Sequence, residues 1–131
     1  MSVHVGWDTT RAGVVRCDFV SVQQVTEYEQ AVDMIKVLAS EKPAQKLKIV
    51  IVIVVVSSED LPQVSVLRFM RALVDVLDAL VECIVIVTQD PLLDVLIHLI
   101  QPFYQHFGIR LSNTPDVQQA LAYIDQNFSP I

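Results

Sequence analysis

The spacing of apolar positions changes along the chain, and each change marks an element. Near the start the period is two. Val3, Val5 and Trp7 alternate with polar or small residues, and so do Val15, Cys17 and Phe19. Matching the two apolar faces predicts a hairpin register, with Trp7 opposite Val15, Val5 opposite Cys17 and Val3 opposite Phe19. Asp8 to Gly13 forms the turn, and the register sets His4 opposite Asp18 on the other face.

The period then becomes helical. Ser21 and Gln24 have the spacing of a capping box, and Val20 and Val25 that of a hydrophobic staple. Val25, Tyr28, Val32, Ile35 and Leu38 form one apolar stripe, with Pro43 beyond its end.

"IVIVIVVVSSEDLP", Ile49 to Pro62, opens with eight β-branched residues and turns polar at Ser57. An unbroken Val/Ile run predicts a central strand covered on both faces, because β-branched side chains lose χ1 freedom in a helix. Pro62 starts a second helix, where a missing N–H costs little. Its expected core stripe is Val64, Leu67, Met70, Val74, Leu77 and Val81, with Arg68, Arg71, Asp75 and Asp78 toward water. Cys83 to Thr88 reads as the next strand, Asp90-Pro91 as the start of a third helix, and Ile109 to Ser112 as a short strand. Thr114-Pro115 opens a last helix with Val117, Leu121, Ile124 and Phe128 inward. The predicted order is β-β-α-β-α-β-α-β-α: an α/β fold with an N-terminal hairpin, then mostly parallel strands joined by right-handed crossovers and packed with helices.

The third helix has the most unusual pattern. From Leu92 to Phe107 nearly every residue is apolar or aromatic, and Asp94, His98, Gln101 and Gln105 make one narrow polar strip. Either the helix is deeply buried, or its extra apolar surface meets a second subunit, a protein partner or a lipid. Leu92, Leu96, Ile100 and Phe103 are the candidate residues for such an interface or ligand site. Pro102 lies inside the pattern and is expected to kink or break the helix.

Composition narrows the function classes. The 131 residues suit one domain, 1–131, with a core of its own. Only 18% are charged, the formal net charge is −6 and no basic cluster occurs, which argues against nucleic acid and anionic membrane surfaces. Such sparse charge leaves apolar patches, so a protein partner or self-association as a homodimer is expected. The longest apolar run is far below the roughly 20 residues of a membrane-spanning helix, and no signal-peptide pattern opens the chain. Cys17 and Cys83 read as buried reduced thiols, the usage of a cytoplasmic protein.

Motifs that carry chemistry are scarce. Asp94 and His98 at i, i+4 supply two ligands and no third, so no metal site is predicted. His4 with Asp18 reads as a cross-strand pair. No serine stands in a nucleophile elbow and no glycine-rich loop follows a strand, so neither a catalytic set nor a cofactor is expected. Two strand-to-helix loops remain, 57–61 and 88–90. Ser57, Ser58, Glu59 and Asp60 are the partner-binding candidates in the first, although its acidic residues suit an ordinary cap equally well.

The order of elements, the apolar strand followed by a Ser-containing polar loop, and the closing "NTPDVQQALAYI" resemble the STAS fold of bacterial anti-sigma-factor antagonists, the SpoIIAA-like proteins. The resemblance spans Val3 to Phe128 and implies a non-enzymatic regulatory module that binds a protein partner. In that family a kinase phosphorylates a hydroxyl at the start of the helix after the central strand, within a pattern like Asp-Ser-Ser-Gly-Leu. The corresponding "QVSVL", Gln63 to Leu67, offers Ser65 as the candidate phosphoacceptor. Val64 and Val66 replace the small and polar neighbours, which points to a branch that keeps the fold and loses the switch. Lipid-transfer domains of the Sec14 type share a related fold, so the alternative is a carrier or sensor of a hydrophobic small molecule lined by the third helix and Trp7.

Overall fold

The computed structural model describes residues 3–20, 25–41, 46–54, 70–75 and 80–128, except the side chains of residues 20, 25–27, 54 and 92. Strands β1 (Val3–Trp7) and β2 (Val14–Val20) precede helix α1 (Val25–Glu41) and strand β3 (Leu47–Val54). Residues 70–75 are helical and are labelled α2. Strand β4 (Val81–Val87), helix α3 (Pro91–His106), strand β5 (Arg110–Thr114) and helix α4 (Val117–Asn127) complete the order.

The strands form one five-stranded mixed sheet in sequence order, β1-β2-β3-β4-β5, antiparallel between β1 and β2 and parallel elsewhere. The hairpin register matches the alternation of its apolar residues, with Val3, Val5 and Trp7 paired to Phe19, Cys17 and Val15. Its turn is held by Asp8, whose carboxylate accepts from the N–H groups of Thr10 (2.7 Å) and Arg11 (3.0 Å). Gly13 closes the turn at φ +75°, a left-handed conformation that favours glycine. The Val/Ile run is the central strand, with β2 and β4 parallel on either side. Ile49, Val50 and Ile51 are all fully buried, so both faces of β3 are covered as the unbroken run predicts.

The sheet has two unequal faces. Ile49, Ile51, Ile84 and Ile86 point to one of them, where Tyr28, Ile35, Met70, Leu73, Leu93, Ile97 and Tyr104 of α1, α2 and α3 build the larger core. Val14, Val50, Cys83 and Val85 point to the other, covered by Ala120 and Ile124 of α4. Asp116 caps α4 by accepting from the Gln119 N–H at 2.8 Å. Arg11 on the hairpin turn ties to Asp125 of α4 at 2.7 Å.

Three expectations need correction. Val81 opens β4 instead of closing the second helix, and Leu73 fills the core of α2 alongside Met70 and Val74. The fifth strand begins at Arg110 and runs to Thr114. Pro102 does not break α3, which is helical through it to His106. Pro102 lies on the exposed side, and the His98 carbonyl is the one its missing N–H would have met.

Candidate interaction surface

The carboxyl ends of β3 and β4 open on a cleft lined by Val52, Ile53, Val87, Thr88, Gln89, Asp90 and Pro115. Its floor is the strand ends and its rim is the loop into α3. That loop is fixed locally: the Thr88 hydroxyl accepts from the Asp90 N–H at 3.1 Å, and the Thr88 N–H donates to the Thr114 carbonyl at 3.1 Å. Gln89 reaches the Pro115 carbonyl at 3.5 Å. Among the described residues the lining holds a carboxylate and no cation, so their electrostatics disfavour an anionic ligand.

Helix α3 departs from its expected orientation in an informative way. Two members of the polar strip face the sheet edge. Asp94 accepts a hydrogen bond from the Asn113 amide on β5, and the Gln101 amide donates to the Leu111 carbonyl at 2.9 Å. His98 and Gln105 are exposed, and His98 Nδ1 lies 2.7 Å from the Asp94 carbonyl oxygen. Half of the polar strip therefore secures β5, and the water-facing side of the helix mixes His98 and Gln105 with apolar residues. Leu99 is 72% exposed, Val95 55% and Phe107 39%. Leu96, Ile100 and Phe103 are half-buried beside this ridge and pack on the larger core. Phe103 and Phe107 meet edge to face at 5.2 Å. The side chain of Leu92 lies outside the described residues, as do Ser57, Ser58, Glu59, Asp60 and Ser65.

Between α2 and α3 an apolar crevice is walled by Ile53, Met70, Ile86, Leu93, Leu96, Ile97 and Ile100. Tyr104 pins its two helices together, with its buried hydroxyl donating to the Met70 carbonyl at 2.5 Å. Burial holds the Tyr104 phenol well above its ordinary range. Trp7 belongs elsewhere. Its indole N–H donates to Glu41 of α1 at 3.0 Å, at the β1 edge of the sheet and away from α3 beside β5. The pairing of Trp7 with the third helix in one ligand cavity is thus corrected.

Cys17 and Cys83 are free and lie on opposite faces of the sheet, two strands apart. At about 4.8 Å per strand spacing that separation exceeds what a disulfide spans. Burial raises the Cys17 thiol far above its ordinary range and pushes Cys83 up to about 12. Neither thiol is a nucleophile in this environment. Among the described residues no three His, Cys, Asp or Glu side chains gather as a metal-ligand set, and no helix is long and apolar enough to cross a membrane. His4 and Asp18 are cross-strand neighbours, but Asp18 takes its hydrogen bond from Arg16 at 3.1 Å.

Sequence reasoning missed Val95 and Leu99 as exposed apolar residues of α3, Phe107 as another just beyond its end, and Asn113 as the partner of Asp94. The missing signal was the fifth strand's true length, which brings Asn113 beside the helix. Comparison of the chain with protein-family models, with curated proteins and with solved structures finds no match.

Proposed function

We propose that the protein is a non-enzymatic, STAS-like interaction module that docks a protein partner on the exposed ridge of α3 and the adjoining carboxyl end of the sheet. The observation that carries this reading is the ridge itself: Leu99 and Val95 are left to water, one turn apart, on a helix two of whose polar residues, Asp94 and Gln101, bond to β5. A surface helix normally turns its polar side outward, and large apolar residues left exposed beside that side supply a contact surface. The order of elements supports the STAS resemblance. So does the sheet, whose consecutive strands with crossover helices on one face leave no reversal of strand order and hence no crevice of the kind that holds dinucleotides.

Contact on the ridge makes Leu99→Glu the discriminating variant. Burial of one leucine stabilises a contact by roughly 1.5–3 kcal/mol, so a buried Glu there should weaken partner binding at least about tenfold. Folding stability should stay within about 0.5 kcal/mol of wild type, because the residue is exposed in the free chain. Titration of the purified partner against wild type and Leu99→Glu measures this; equal affinities would refute the ridge as the contact. Ser57→Asp and Ser65→Asp should both keep the partner, since Val64 and Val66 replace the family's switch neighbours.

A second reading rests on the α2–α3 crevice, whose described walls are apolar and whose volume of about 10 Å³ requires the helices to part before a ligand enters. In that reading an aliphatic chain lies between the two helices. Native mass spectrometry of gently purified protein tests it: a co-purifying lipid lost in Ile97→Phe would favour it, and bare protein throughout would end it.

A further inference from the structure

We draw no further inference here: the strongest candidate, the exposed apolar patch of Met34 and Val37 on the outer side of α1, carries nothing because nothing in the structure shows what covers it.

Discussion

Cys17, Cys83 and Tyr104 show how strongly single residues register the depth of the core. Each carries a proton that burial makes hard to remove, with the carboxylates of Asp18 and Glu82 adding to the effect at the two thiols. A group whose pKa is raised in the folded state contributes full stability below its unfolded pKa and loses it as pH rises toward the folded value. Stability should therefore be flat up to about pH 9 and then fall, by about 1.4 kcal/mol per pH unit for each thiol that the unfolded chain ionises. Denaturant melts between pH 8 and 11 check this, and Cys83→Ala should flatten the slope by one group. The same burial predicts that native protein resists thiol reagents. Tyr104→Phe should cost about 0.5–1.5 kcal/mol through the lost hydrogen bond to Met70, measured by denaturant midpoint at neutral pH.

Helix α3 and strand β3 mark the two ends of what can be read from a sequence. The Val/Ile run of β3 could satisfy only a strand buried on both faces, and the hairpin register followed from the face that Val5, Trp7, Cys17 and Phe19 share. Such patterns are local, so they are legible. The orientation of α3 is not local. His98 and Gln105 of its polar strip are on the wet side, as the pattern predicts, whereas Asp94 and Gln101 turn to β5, which supplies Asn113 and the Leu111 carbonyl as partners. For the same reason Leu96, Ile100 and Phe103 could be named from periodicity, whereas the exposed Val95 and Leu99 beside them could not. Pro102 within the helix makes a further test. An interior proline costs up to about 3 kcal/mol, so Pro102→Ala should raise stability by about 1–3 kcal/mol, as read from the thermal midpoint. A loss of stability would mean that the ring packs on something essential.

At the scale of the whole molecule, the unequal faces of the sheet decide which surfaces are open. Three helices cover one face, whereas α4 covers the other over β3, β4 and β5. The part of that second face on β1 and β2 carries His4, Arg16 and Asp18, a polar surface that no described helix covers. The C-terminal end of α4 is fastened to the sheet's rim, by Arg11 to Asp125 and by Lys48 and Arg110 over the Phe128 ring at 5.7 and 5.5 Å. On the proposed function, the surfaces that meet a partner are the apolar ridge of α3 and the carboxyl ends of the strands beside it. The most direct test of that conclusion is site-specific photocrosslinking in the native cell, with the reactive group placed at Leu99 and, separately, at Gln118 on the exposed side of α4. The account predicts a discrete adduct from position 99 and none from position 118. No adduct from position 99, or the same adducts from both positions, would contradict it.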